Sequence, residues 1–327
     1  MMADLMTEPP AAPARARARR TRPDSLTVAL AVLVVALVPL AVTTDRFLTL
    51  GNARAILASA ALVGITAMGA TLVMIAGSAV SMASSQTATV VAMVFLATQD
   101  QGLVVATLLG LLCGIAVTAV QGIAVGYWEA NPIVLTIAAG FAIGGGAIWF
   151  SGGTPVYAAS DGYELLNSTP LGLPLAVYVL LALAVLAQWI LRRTAAGRQM
   201  YLIGENRAAA RAAGLPVGRV LVTAWAFFGM CLAVTGVFLA SFNTSATTNL
   251  GGTLTLDAIA AVLVGGTAIT GGKGSALRTF GGAVLISIVA DVLLLRGYST
   301  GVQILVKGAL VLAVVVGVHL RTSRGSR

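Results

Sequence analysis

Arg192-Arg193-Thr194-Ala195-Ala196-Gly197-Arg198-Gln199-Met200-Tyr201-Leu202-Ile203-Gly204-Glu205-Asn206-Arg207-Ala208-Ala209-Ala210-Arg211-Ala212-Ala213-Gly214-Leu215-Pro216-Val217-Gly218-Arg219 is a polar island between two apolar runs. It holds six arginines and one glutamate, while the flanking runs at 171–191 and 219–241 carry no charge beyond Arg219 itself. At about 1.5 Å per residue each run is long enough to cross a hydrocarbon layer of about 30 Å as a helix. Inside the island, Asn206 can cap a short helix of about two turns over 207–213, which Gly214 and Pro216 then stop. A capped, basic, surface-lying helix between membrane spans is what a membrane protein would offer to a soluble partner.

Composition agrees with that reading along the whole chain. Of 327 residues, 58% are hydrophobic and only 9% charged, more apolar surface than a water-soluble core could hide. Long Ala/Leu/Val/Ile runs, rather than short alternating segments, exclude a closed barrel of strands and define an all-α polytopic membrane protein. The net charge of +9 does not point to nucleic acid, because it is confined to short connections between apolar runs. Cys113 and Cys231 each lie inside an apolar run and read as packed thiols, not as a disulfide or a metal site.

Apolar segments fall near 25–44, 52–77, 80–99, 102–127, 132–150, 171–191, 219–241, 256–270, 277–295 and 302–320, giving about ten transmembrane helices. The segment 256–270 is short and glycine-rich, which raises a re-entrant loop as the alternative. Charge decides between them. With ten crossings, sixteen of the twenty Lys and Arg fall on one side: Arg15, Arg17, Arg19, Arg20 and Arg22, the island, Lys273 and Arg278, and Arg321, Arg324 and Arg327. The connection 151–170, with Asp161 and Glu164 and no basic residue, falls on the other. The positive-inside rule therefore predicts cytoplasmic N- and C-termini. The expected organisation is a disordered basic cytoplasmic tail over 1–24, a transmembrane domain over 25–320 with a cytoplasmic coupling loop at 192–219, and a basic tail over 321–327. Glycines spaced by four at Gly110/Gly114, Gly122/Gly126 and Gly140/Gly144 suit close helix packing in lipid.

No energy source is visible. Gly271-Gly272-Lys273-Gly274-Ser275 is the nearest thing to a phosphate loop, and it fails at two positions, Thr267 and Gly274. It reads equally as a contact with a partner or as a flexible turn with a solvated lysine. No acidic residue sits at the middle of an expected span, so a proton relay is poorly supported. Asp257 and Asp291 lie near outer ends, and Lys307, about 9 Å into the last span, can snorkel to the interface or face the bundle. His319 stands alone, and no catalytic constellation or metal cluster accompanies it. What remains is a hydroxyl- and amide-rich stretch in the third span, with Ser78, Ser81, Ser84, Ser85 and Gln86. Such neutral groups suit an uncharged polyhydroxylated solute, and equally suit helix–helix hydrogen bonding. Together with Asp257, Asp291 and Lys307 they form the candidate translocation pathway. A second outer cluster, Asn243 to Asn249, reads as a wet loop.

These motifs resemble the permease subunits of bacterial ABC importers for ribose and other simple sugars. The stretch from Gly197 to Arg211 looks like the family's G-R-x-x-Y-A-I-G-x-N-x-x-A-A-R loop. The likeness continues through Leu256-Asp257-Ala258-Ile259-Ala260-Ala261-Val262, Gly265-Gly266-Thr267, Gly271 to Ser275 and Gln303 to Gly308. It implies a bacterial cytoplasmic membrane protein without catalysis of its own and with no cofactor on this chain. The expected partners are a second permease subunit, same or homologous, a cytoplasmic ABC ATPase carrying ATP and Mg, and an extracytoplasmic solute-binding protein. In that setting Gly204, Glu205, Asn206, Arg207, Ala209, Ala210, Arg211 and Gly214 form the coupling element that docks on the ATPase. One departure stands out: where the family carries G-G-I-D-L-S-V-G, this chain has Gly77-Ser78-Ala79-Val80-Ser81-Met82-Ala83-Ser84, with Val80 in place of the acid. The competing readings are a self-sufficient secondary carrier for a small neutral solute and a membrane scaffold that merely anchors a partner.

Overall fold

The computed structural model describes residues 46–158 and 161–324, with 39, 43 and 44 before them. The expected tail over 1–24, most of the expected span at 25–44 and residues 325–327 lie outside the described residues. The helices are α1 (Leu50–Ile75), α2 (Ser84–Ala97), α3 (Leu103–Tyr127), α4 (Pro132–Ser151), α5 (Leu175–Arg193), α6 (Ala195–Glu205), α7 (Arg207–Ala212), α8 (Val217–Asn243), α9 (Leu254–Val264), α10 (Ala276–Leu295) and α11 (Thr300–Arg324). Two two-residue strands, β1 (Val156–Tyr157) and β2 (Ser245–Ala246), pair antiparallel where two connections meet.

Local chemistry sets several of the helix ends. Thr49 Oγ1 accepts from Asn52 N at the start of α1, and Asn131 Oδ1 accepts from Ile133 N and Val134 N ahead of Pro132 in α4. Among the described residues, six helices (α1, α3, α4, α5, α8 and α10) are long and apolar enough to cross a membrane. Three shorter apolar helices, α2, α9 and residues 300–314 of α11, fill three more expected positions.

The core is the crossing of α1 with α8. Both are apolar all round, as buried helices are, and Ile65, Met68, Leu72, Trp225 and Phe228 are fully buried. The two helices run antiparallel: Thr66 hydrogen-bonds Thr235 at 3.0 Å, and Gly69 lies under Phe228. Neutral hydroxyl pairs of this kind join helices in lipid at low cost, as Thr71 and Thr279 do between α1 and α10 at 2.9 Å. Small residues let α3 close on α8. A Cβ on Gly122 would stand 2.6 Å from that of Trp225, and one on Gly126 would stand 2.9 Å from Gly218 O. Gly110, Gly140 and Gly144 pack less tightly, with nearest atoms at 3.4, 3.6 and 3.7 Å, so the close approach is confined to Gly114, Gly122 and Gly126 while the others make ordinary contact.

The chain repeats one plan twice. A long buried helix (α1, then α8) is followed by a non-helical stretch, a short helix (α2, then α9) and two further helices. Because α1 and α8 are antiparallel, the second copy is inverted relative to the first, an arrangement found in many transporters. The short helices meet at their N-termini: Ser85 N donates to Thr255 Oγ1 at 2.9 Å, and Thr255 N donates to Ser85 Oγ at 3.1 Å.

Two expected spans are therefore shortened. The one placed at 80–99 begins as helix only at Ser84, and the one at 256–270 ends as helix at Val264. Past Val264 backbone groups replace the helical hydrogen bonds, with Thr267 N donating to Val262 O at 3.2 Å and Ala268 N to Lys273 O at 2.9 Å; at the first break side chains do so. Thr136 Oγ1 accepts from Met82 N, and Ser81 Oγ accepts from Ala83 N, so the break over 78–83 is satisfied inside protein. Non-helical backbone is tolerated at membrane depth only on that condition.

Candidate functional site

The island folds as two helices rather than one. Thr194 Oγ1 caps α6 by accepting from Gly197 N at 3.0 Å, and Asn206 Oδ1 caps α7 by accepting from Ala209 N at 3.0 Å. Gly214 (φ +76°) closes α7, and Leu215 N reaches back to Ala210 O. The short helix expected from Asn206 and Gly214 is thus present as Arg207–Ala212. Sequence reading missed α6, whose fully buried residues are Gly197, Met200 and Ile203. Their spacing at i, i+3 and i+6 was the available signal.

Exposure divides α7 into two faces. Ala208, Ala209, Arg211, Ala212 and Ala213 are exposed, as are Glu205 and Asn206 before them. Ala210 is buried at 5%, which corrects its assignment to the docking surface: it anchors the helix to the core. Arg207 also turns inward, donating from Nη2 to Val125 O at 2.9 Å. Burial, reinforced by Arg211, draws its guanidinium below the usual arginine range, with Glu129 pulling the other way. Arg211 forms an exposed ion pair with Glu129, which has a left-handed backbone (φ +55°) between α3 and α4. Burial raises the Tyr201 phenol above its usual range, against the pull of Arg192 and Arg278; its hydroxyl donates to Gly274 O at 2.9 Å.

Below α6 lies a junction of bare backbone. Gly204 packs into the end of α1, where a Cβ would come within 2.0 Å of Ile75 O and 2.5 Å of Gly272 N. Gly272 N donates to Ile75 O at 3.0 Å, and a Cβ on Gly271 would come within 2.6 Å of Gly77 Cα. Gly204 therefore serves close packing; Gly214, with its positive φ, is the residue that turns the chain. The turn at Gly271 and Gly272 is likewise packed at this junction, which corrects the flexible-turn reading, although Lys273 itself is exposed. Gly77 leads straight into the break over 78–83. The island is thus joined, backbone to backbone, to the interruption between α1 and α2.

The candidate pathway residues separate into three places. Ser78, Ser81, Ser84 and Ser85 are buried in and beside the break. Ser81 Oγ donates to Gln121 Oε1 at 2.8 Å, Ser84 Oγ donates to Ser81 O, and Ser85 binds Thr255. Gln121 is a residue the sequence reading did not single out. Gln86 lies half-buried against Gly140 and Gly144 of α4. Val80 is buried in the core, so this chain keeps an apolar contact where the resembling family has an acid.

Asp291 stands apart at the far end of the bundle, accepting from Asn52 Nδ2 at 2.8 Å. Asp257 and Lys307 meet. Lys307 Nζ donates to Asp257 Oδ1 at 2.7 Å, Thr253 Oγ1 donates to Oδ2 at 2.8 Å, and the two charged side chains are 11% and 12% exposed. Lys307 therefore turns into the protein instead of snorkelling.

An all-α chain of span-length apolar helices, built as inverted halves with two breaks satisfied inside the protein, has the architecture of a multi-pass membrane permease. The chain belongs to the family described as "Branched-chain amino acid transport system / permease component", which matches residues 52–315. It is 31% identical over 300 residues, 91% of this chain and 90% of the relative, to the probable ABC transporter permease protein YphD of Escherichia coli (strain K12). It is also 34% identical over 217 residues to the autoinducer 2 import system permease protein LsrD of Yersinia enterocolitica, and 34% identical over 218 residues to that of Yersinia pestis. In both pairs the match covers 64% of this chain and 64% of the relative, so the chain spans about two thirds of these autoinducer 2 permeases. No solved structure matches the chain. The relatives bear out the motif resemblance to ABC importer permeases.

Proposed function

We propose that this chain is the transmembrane subunit of an ABC importer that carries a small neutral solute, a monosaccharide or similar polyol, into the cytoplasm. It crosses the bacterial cytoplasmic membrane ten times with both termini inside. A separate ATPase subunit hydrolyses ATP, a second permease subunit completes the channel, and an extracytoplasmic binding protein delivers the solute. The observation that carries this reading is the exposed face of α7, mounted on α6 and locked through Gly204 to the break at Gly77. A rigid surface element packed in a partner's groove, with no slack behind it, is what converts closure of that partner into movement of the spans. The hydroxyls of Ser81, Ser84 and Ser85 hold the break in shape, and Gln86 supplies a neutral amide beside it. Autoinducer 2, carried by relatives at 34% identity, is the first solute to assay alongside simple sugars.

Substitution on that face tests the proposal. Ala209 is exposed, so Ala209→Glu adds a charge to the docking surface at little cost to helix propensity, about half a kcal/mol. The variant is expected to reach the membrane in normal amount, fail to co-purify with its ATPase and lose uptake. Normal co-purification would contradict the docking role of α7. One observation favours the secondary-carrier alternative: ionised residues at membrane depth, Asp257 and Lys307, of the kind that couple ion and solute movement.

A further inference from the structure

We infer that the cavity between α9 and α11, with the Asp257–Lys307 pair as its floor, is a binding site for a neutral polyhydroxylated solute on its way through the membrane. The inference rests on the permease reading and specifies what that permease recognises. The cavity holds about 190 Å³ beside the ion pair, and Leu256, Ile259, Ile304 and Val311 form much of its wall. Lys307 is the eighth residue of α11, so the pair lies about 10 Å along that helix at 1.5 Å per residue. Thr253 and the N-terminus of α9 share that depth.

A pair whose only task is to clamp two helices would fill its surroundings, and an apolar contact would serve as well, since desolvation largely offsets the attraction of buried charges. Here the ammonium instead borders open space. Asp257 is its one acceptor among the described residues, which leaves two of its three N–H groups for whatever enters. Both carboxylate oxygens already accept one hydrogen bond each and retain lone-pair capacity for solute hydroxyls. Charges held against each other in this way give a floor with no net charge, so an anion or a cation finds no unbalanced partner. A neutral polyol finds donors and acceptors side by side. The aliphatic walls suit the C–H face of such a molecule. An ionic floor beneath an opening at this depth also requires water or a polar occupant, because lipid chains satisfy neither group.

Gly308 provides the probe. It lines the cavity, and a Cβ there meets nothing within 4 Å, so Gly308→Cys fits without displacing a neighbour. The variant is made with Cys113 and Cys231 replaced by Ala and assembled with its importer partners. A membrane-impermeant cationic methanethiosulfonate is added outside, with or without ribose, galactose, xylitol or autoinducer 2. The expected result is labelling that at least one of these compounds slows by about tenfold when present at ten times its dissociation constant. Lys307→Met in the same background is expected to keep the labelling and lose the protection. Absence of labelling would overturn the inference, since the cavity would then be dry. Labelling that no compound slows would overturn it as well, leaving water alone in the cavity. Co-purification of the ATPase, scored on the same preparation, separates these outcomes from failure of the permease reading.

Discussion

Gly204 is the residue on which the coupling argument turns. Its missing side chain lets the end of α6 rest on Ile75 O and Gly272 N, and a methyl group there would overlap both. Gly204→Ala must push the backbones apart, at a cost of about 1–3 kcal/mol by the usual measure of overpacking. The expected phenotype is an importer that still binds its ATPase, hydrolyses ATP and loses most of its uptake, because α7 docks normally but no longer moves the break. Wild-type uptake at normal expression would count against the junction as a transmission point. Gly281→Ala is the control, since a Cβ at that position meets nothing within 4 Å. At the ion pair, Asp257→Asn leaves Lys307 without its counter-charge at membrane depth, a loss of about 3–5 kcal/mol where such a pair is fully buried. Thermal unfolding of the detergent-purified chain should show a clear drop in midpoint, and an unchanged midpoint would place the pair in bulk water. Neither partnership was legible in the sequence. Asp257 and Lys307 are 50 positions apart, and Ser85 and Thr255 are 170 apart. Local pattern carries no information about contacts that only the folded bundle creates.

At the scale of elements, α7 was readable because everything that defines it is local. The Asn206 cap, the alanine-rich turns and the Gly214 stop lie within nine residues. A cap of this type contributes about 1 kcal/mol, so Asn206→Ala should loosen α7 and speed amide exchange at Ala209 and Ala210 while leaving α6 protected. Equal protection in the variant would show that Ala210 and Arg207 hold the helix without the cap. The broken helices were harder to read. Apolar content continues through residues 78–83 and past Val264, so a hydropathy window sees whole spans at 80–99 and 256–270. At the break over 78–83 the hydroxyls beside the late helix start belong to residues that were read as pathway groups. Their hydrogen bonds to Gln121 and Thr255, with that of Met82 N to Thr136 Oγ1, complete the fold at the break.

For the whole molecule, composition and charge distribution gave the class, and the motifs gave the family. The inverted doubling did not emerge from the sequence, because the two halves share an order of elements and not a row of matching residues. The proposed sidedness rests on the basic residues and is tested by labelling in a cysteine-free background. Thr169→Cys should react with an impermeant reagent added outside intact cells, and Asn206→Cys should react only after the membrane is opened. Reaction of Asn206→Cys from outside would invert the topology and put α7 out of reach of any cytoplasmic ATPase. The central claim is that solute movement through this chain is driven by hydrolysis on a separate subunit, and uptake of radiolabelled solute in cells with that ATPase gene deleted tests it most directly. Accumulation is expected to fall to background and to return when the ATPase is supplied in trans. Undiminished accumulation without the ATPase would contradict the claim and make the chain a self-sufficient carrier.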